Sequence, residues 1–197
     1  DLPLYAAGNT DLVKRPCVSI VGTRKVTAEG AARARKLARA MAAADIVVVS
    51  GLAEGVDTEA MTAAMQYGGS VIGVIGTPID QAYPAKNKRL QEKVYRQHLL
   101  LSQFRSGSRV FKSNFPQRNR LMAALSDGTV VIEGSDTSGT LHQAAECTRL
   151  GRWLFITKSV VDDPALTWPA RFLSYEKCVV LEQAEDVVRR VSAEWRS

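Results

Sequence analysis

The chain has 197 residues, enough for one domain with a sizeable core. Its 46% hydrophobic and 23% charged residues mark a globular rather than a disordered chain, and no apolar run approaches the ~20 residues of a membrane span. A net charge of +6 favours a polyanionic partner, because phosphates are neutralised by Lys and Arg.

The N-terminus lacks the basic-then-apolar layout of a signal peptide. It starts at Asp1 rather than Met, as expected of a piece of a longer chain. Cys17, Cys147 and Cys178 are odd in number and widely spaced, so they read as core thiols of a reducing cytoplasm. His98 and His142 have no companion at metal-ligand spacing, so neither a metal nor a cofactor is expected.

Residues 1–16 form a lead-in, with a short extended piece at Leu4–Ala6 and a turn at Gly8-Asn9. Cys17–Val21 (CVSIV) is apolar and partly β-branched between Pro16 and Gly22, which predicts a buried strand. Thr27 is placed to cap a helix over Ala28–Ala44, with Ala34, Leu37, Ala38 and Met41 on its apolar face. Arg33, Arg35, Lys36 and Arg39 fall on its solvated surface.

Ile46–Ser50 predicts a second strand, and Asp57 is expected to cap a helix ending at Gly68-Gly69. Val71–Ile75 predicts a third strand, 86–98 a helix, Leu99–Ser102 a fourth strand and 105–113 a basic loop. A helix is then expected from Pro116, a strand at Thr129–Ile132, a loop at 133–138 and a helix at 139–150. Trp153–Thr157, a short strand near Cys178–Leu181 and a helix from Ala184 complete the pattern.

Strands alternating with helices define an α/β class: a doubly wound, mostly parallel sheet with helices on both faces. The expected organisation is a single Rossmann-like domain over 1–197, with 1–16 as lead-in and 158–197 as a C-terminal extension packing on the core. The dinucleotide fingerprint G-x-G-x-x-G is missing, as are a Walker A loop and a Gly-x-Ser-x-Gly elbow.

Ligands of such sheets bind outside the carboxyl ends of the strands. Four loops leaving those ends carry small residues: Gly22-Thr23-Arg24, Ser50 to Gly55, Gly76-Thr77, and 134–140 with Ser138, Gly139 and Thr140. Small residues let backbone approach a ligand, and Ser, Thr and helix-start N–H groups bind phosphate. Arg24 and Lys25 sit in the first loop. Arg118 and Arg120 lie near a helix N-terminus, where the dipole disfavours cations. Either a bound phosphate or a carboxylate such as Glu133 or Asp136 supplies the balancing charge. Phe115 is equally a stacking platform for an unstacked base or a hydrophobic staple. Glu133 and Asp136 are acid/base candidates or braces between loops.

These motifs, in this order, resemble the Rossmann-like core of the DNA-processing protein A (DprA/Smf) family. The resemblance is carried by Pro3-Leu4-Tyr5 with Gly8; by Val18-Ser19-Ile20-Val21-Gly22-Thr23-Arg24 with Gly30; and by Ser50-Gly51-Leu52-Ala53-Glu54-Gly55-Val56-Asp57. It continues through Gly76-Thr77 with Asp80, Tyr83-Pro84 and Asn87, then Phe115-Pro116-Gln117-Arg118-Asn119-Arg120, and Glu133 with Ser138-Gly139-Thr140. It covers residues 1 to about 157. It implies a cytoplasmic protein without catalytic turnover that binds single-stranded DNA and loads a RecA-type recombinase in natural transformation, acting in competence and DNA recombination as a homodimer. The implied DNA contacts are Gly22, Thr23, Arg24, Phe115, Arg118, Asn119 and Arg120. Adding Lys25, Ser50, Gly51, Ser138, Gly139 and Thr140 from the loops gives the full candidate set for nucleic acid or phosphate, and no catalytic residue is assigned.

The chain departs from the family pattern at Met61, Pro78, Gln103 and Lys158-Ser159. The flanking helical and winged-helix domains of many members are not visible, so the chain is expected to be either a divergent single-domain relative or a core that has lost its flanks. The 134–140 loop with Glu146 also loosely echoes the LOG-type nucleotide phosphoribohydrolases. A nucleotide sensor or hydrolase using Glu133 and Glu146 is therefore the alternative expectation.

Overall fold

The computed structural model describes residues 3–136 and 139–196. Its framework is an eight-stranded sheet in the order β1-β5-β4-β3-β2-β6-β7-β8. The strands are β1 (Tyr5–Gly8), β2 (Cys17–Val21), β3 (Val47–Ser50), β4 (Val71–Ile75), β5 (Leu99–Ser102), β6 (Gly128–Val131), β7 (Trp153–Thr157) and β8 (Cys178–Leu181). All neighbours are parallel except β1, which pairs antiparallel with β5 along the edge. The expected α/β, mostly parallel, Rossmann-like architecture is what forms.

Each central strand is buried on both faces, which is why the strands read as unbroken apolar runs rather than alternating ones. One layer of the core is built on Val18, Ile20 and Val48, covered by α1 (Ala28–Ala43) and α2 (Val56–Gln66). The short α6 (Lys158–Val161) and Trp168 cover part of the opposite layer, built on Val21, Val47 and Val49. There α4 (Asn114–Leu125) and α5 (Thr140–Arg149) supply Met122, Ala123, Ala144 and Cys147. The helix α3 (Lys88–Gln97) contributes Val94 to the first layer, and α7 (Ala184–Arg196) contributes Val187 and Val191.

Residues 158–196 extend the sheet itself, since β8 pairs with β7 in register from Leu154↔Cys178 to Thr157↔Leu181. Among the described residues no helix is long and apolar enough to cross a membrane.

Two local expectations change. Thr27 caps α1 as the sequence predicts, its hydroxyl accepting the Gly30 N–H at 3.0 Å. Asp57 does not cap α2: Gly55 holds that position, with φ +78°, and Asp57 lies buried inside the first turn. A Cβ on Gly55 would lie 2.3 Å from the Thr23 carbonyl oxygen, so a capping side chain has no room there. The helix after the basic loop starts at Asn114, two residues before Pro116, whose missing N–H falls in the first turn where it has no intrahelical partner.

Candidate nucleic-acid interface

The sheet reverses its winding between β2 and β6, the neighbours that are farthest apart in sequence among the parallel pairs. A crevice at the carboxyl ends of these two strands is the expected ligand position. A cleft of about 360 Å³ opens there, between the loop after β2, the first turns of α4 and α5, and the loop after β6.

Each wall is fixed by a traceable set of bonds. The Thr23 N–H donates to the Glu133 carbonyl at 2.8 Å, and the Thr23 carbonyl accepts from the Val56 N–H at 3.2 Å. The Thr23 hydroxyl accepts the Lys25 N–H at 3.1 Å, turning the loop so that Arg24 and Lys25 are exposed. Behind it, the Glu133 carboxylate accepts both the Thr27 N–H (2.9 Å) and the Thr27 hydroxyl (2.6 Å). Glu133 thus braces the two walls against each other. Asp136 has the same kind of role, accepting the Thr167 and Trp168 N–H groups, which hold its carboxyl below the usual range.

The loop after β3 lies under the cleft. Leu52 adopts φ +56°, a left-handed conformation that costs a non-glycine residue roughly 1 kcal/mol or more. It is held there by burial of its side chain and by Asn87 Nδ2, which donates to the Leu52 carbonyl at 2.8 Å.

The α4 wall is anchored by Asn114, whose Nδ2 donates to the Gly76 carbonyl at 2.9 Å. Phe115 lies against Gly76, where a Cβ would approach its ring to 2.7 Å, and its ring centroid is 5.4 Å from that of Tyr83. Arg118 is only 5% exposed. Its Nη1 donates to the Gly51 (2.5 Å) and Val74 (3.1 Å) carbonyls, and its Nε donates to Asn119 Oδ1 at 2.9 Å. Asn119 Nδ2 reaches on to the Gly139 carbonyl at 3.1 Å, tying α4 to the start of α5.

The electrostatics centre on Asp57, the carboxylate expected to cap α2. Asp57 is buried beside Arg118, and burial pushes its carboxyl up to about 6 although Arg118 pulls it down. Burial likewise lowers Arg118, with Asp57 opposing that shift and Arg24 adding to it by like-charge repulsion. Two guanidinium groups therefore share this end of the cleft with one carboxylate. The balancing carboxylate for Arg118 is Asp57, not the expected Glu133 or Asp136.

Of the expected residues, Gly22, Thr23, Arg24, Phe115, Arg118, Asn119, Gly139 and Thr140 line the cleft. Gly51 borders a smaller recess shared with Arg24, Phe115 and Arg118. Lys25 faces a shallow depression on the far side of Arg24, with Glu54 and Lys86. Arg120 is exposed and acts on Glu146 electrostatically. Ser50 is fully buried and its hydroxyl donates to the Ile20 carbonyl at 2.8 Å, so it belongs to the scaffold. Ser138 lies outside the described residues.

Asp57 and Gln143 line the cleft without having been anticipated. Asp57 carried a signal, since a carboxylate six residues after a strand-end Gly reaches back to that Gly's N–H. Gln143 carried none, being one polar residue on an amphipathic helix. Glu133 and Glu146 are absent from the lining, and Glu146 is paired with Arg149. Among the described residues no cluster of His, Cys, Asp and Glu could hold a metal ion.

Fold and site together define a doubly wound α/β module with an arginine-bordered cleft at its switch point. Residues 2–192 match the model of the DNA recombination-mediator protein A family, and the chain belongs to that family. It is 39% identical over 186 residues to the DNA processing protein DprA of Streptococcus pneumoniae, covering 94% of this chain and 65% of that protein. It is 32% identical over 185 residues to the DNA processing protein DprA of Bacillus subtilis, covering 93% and 62%. The chain thus spans somewhat under two thirds of the length of these relatives.

The X-ray structure of the pneumococcal protein superposes with a TM-score of 0.85 at 38% identity, over 94% of this chain and 65% of that one. A structure of DNA processing protein A from Helicobacter pylori, which describes a single-stranded DNA binding mode, superposes with a TM-score of 0.83 at 28% identity, over 97% and 87%. The molybdenum cofactor carrier protein of Chlamydomonas reinhardtii, at 16% identity and TM-score 0.63, shares the fold alone.

Proposed function

We propose that this chain binds single-stranded DNA along the cleft between Gly22-Thr23-Arg24 and the first turns of α4. The observation that carries the proposal is Arg24: exposed, without an ion pair among the described residues, and beside a second guanidinium that Asp57 alone offsets. A backbone phosphate is the group that such a constellation accommodates. Arg24, Lys25 and Arg120 carry the free positive charge. Phe115 and Asn119 border the same opening and contact bases. Arg118 holds the frame, because its Nε and Nη1 donors are engaged by Asn119, Gly51 and Val74.

Family membership, the net charge of +6 and the relative with a described single-stranded DNA binding mode support this reading. On the same ground the chain acts in the cytoplasm as a homodimer. It delivers the strand to a RecA-type recombinase during recombination and natural transformation, without turnover of its own.

The test is a titration with labelled oligo-dT at several salt concentrations. Binding that weakens steeply with salt is expected, with Arg24→Ala and Arg120→Ala each weakening it roughly tenfold at unchanged thermal stability. Absent or salt-insensitive binding overturns the proposal.

A further inference from the structure

A second recess, of about 480 Å³, opens on the same carboxyl edge of the sheet, one strand beyond the cleft. Its lining includes Leu37, Ile132 and Leu181, all buried core side chains that present an apolar floor. Arg33 and Lys36 stand at its rim, one turn apart on α1, both exposed. Neither has an ion pair or hydrogen bond among the described residues. Lys158 also lines the recess, but its ammonium is paired with Asp162 and faces Glu182. Glu182 lines the recess as well, facing Lys158, so Arg33 and Lys36 outnumber the one lining carboxylate and leave the rim net positive.

The recess and the cleft are two sides of one short segment. Ile132 faces the recess, Ser135 lines the cleft, and Glu133 between them is pinned to Thr27. A ligand lying along the edge of the sheet crosses from one to the other over the Thr27–Glu133 bridge.

We infer that the recess is a second nucleotide subsite for the same DNA strand, with a base against the Leu37–Ile132–Leu181 floor and flanking phosphates on Arg33 and Lys36. An apolar floor beneath unpaired cations matches the flat face and charged backbone of an unstacked nucleotide. Continuity with the cleft along one edge says which strand occupies it. The inference rests on the single-stranded DNA reading of the cleft and extends the bound length beyond it.

The test compares oligo-dT of about six nucleotides, within the span of one such site, with oligo-dT of about 24 nucleotides. Titrations are done at low salt, where the contacts of even the short strand are strong. Arg33→Ala/Lys36→Ala changes two exposed side chains on an intact helix, and an unchanged circular dichroism melt checks the fold. The double variant is expected to bind the long strand roughly tenfold more weakly and the short strand unchanged. Its log–log salt slope on the long strand is expected to be shallower by about 1.4, two phosphate contacts at ~0.7 each.

Equal losses on both lengths, or no loss on either, overturn the subsite. Arg24→Ala separates the two readings, because it is expected to weaken both lengths. If it leaves binding intact while the double variant weakens the long strand, the cleft assignment fails and the recess stands. If the wild-type chain binds neither strand, both fall.

Discussion

Asp57 and Arg118 hold one residue, Gly51, by the peptide groups on its two sides. Asp57 Oδ2 accepts the Gly51 N–H at 3.0 Å, and Arg118 Nη1 donates to the Gly51 carbonyl at 2.5 Å. The space between them admits only glycine: a Cβ on Gly51 would sit 2.6 Å from Nη1 and 2.9 Å from Oδ2. The clamp joins the loop after β3 to α4 and so sets the depth of the cleft. Removing Arg118 leaves the Asp57 carboxyl and the Gly51 carbonyl without their partner, and removing Asp57 leaves the Gly51 N–H without its acceptor, each at a cost of about 1–3 kcal/mol. Asp57→Ala and Arg118→Ala are each expected to lower the urea midpoint by a corresponding amount. The double variant should lose clearly less than the sum, because the Asp57 carboxyl is then not left without its partner. Additive losses would show that the two side chains act independently.

On the proposed function, the same pair is expected to make DNA binding depend on pH. Folding raises the Asp57 carboxyl from its ordinary 3.8 to about 6. The folded chain therefore holds this proton more firmly than the unfolded chain. Asp57's contribution to stability is fully present below about pH 3.8 and is lost as pH rises through about 6. Protonation also removes the one carboxylate that offsets Arg118 and Arg24. Affinity for oligo-dT is expected to rise as pH falls from 7.5 to 5, by several-fold. Asp57→Asn keeps an acceptor for Gly51 and fixes the neutral form, so it should bind tightly across the range and flatten the profile. A profile that is equally steep in Asp57→Asn assigns the effect to other groups.

What the sequence reveals and what it hides divide along physical lines. Apolar runs such as Cys17–Val21 and Val71–Ile75 announce strands because both sheet faces are buried, and the Thr27 cap is a local interaction three residues long. The loops with Gly22, Gly51 and Gly76 are recognisable because close backbone approach excludes side chains. Arg118 is harder to interpret. Near a helix start it looks like a ligand-binding cation, whereas its partner Asp57 lies 61 positions earlier and is visible only once β3 and α4 are adjacent. Ser50 misleads for the same reason. A hydroxyl at a strand end looks like a phosphate donor, but the parallel neighbour β2 places the Ile20 carbonyl 2.8 Å away. Pairings local in sequence are legible, and those that the sheet order creates are not.

The brace between the cleft walls yields a further expectation. A Cβ on Gly30 would fall 2.3 Å from Glu133 Oε1 and 2.4 Å from its carboxyl carbon, so Gly30→Ala must displace the carboxylate from Thr27. The variant should be destabilised by about 1–2 kcal/mol, the scale of a lost charged hydrogen bond at a helix cap. Glu133→Ala should lose a similar amount. In the combined variant the small side chain fills space that Glu133 has left, so Gly30→Ala should cost much less there than alone. Thermal melts of the four proteins measure this coupling, and full additivity would contradict it.

The three thiols test whether the core opens as one unit. Burial pushes Cys17 and Cys147 up to about 12 and Cys178 up to about 11. Cys17 Sγ donates to the Arg15 carbonyl at 3.1 Å and Cys147 Sγ to the Trp153 carbonyl at 3.0 Å, so both thiols are held as well as buried. The thiolate is the reactive form, and at about pH 8 it is a minute fraction of each thiol. Ellman's reagent is therefore expected to label the native chain slowly and all three cysteines at once in denaturant. Cys178, half-buried in β8 at the sheet edge, should react first in the native protein, since edge strands open at lower free energy than central ones. Cys17, in the central strand β2, and Cys147, against the core in α5, should follow only with global unfolding. Rapid native labelling of Cys17 would mean that the middle of the sheet, and with it the floor of the cleft, opens far more readily than its packing implies.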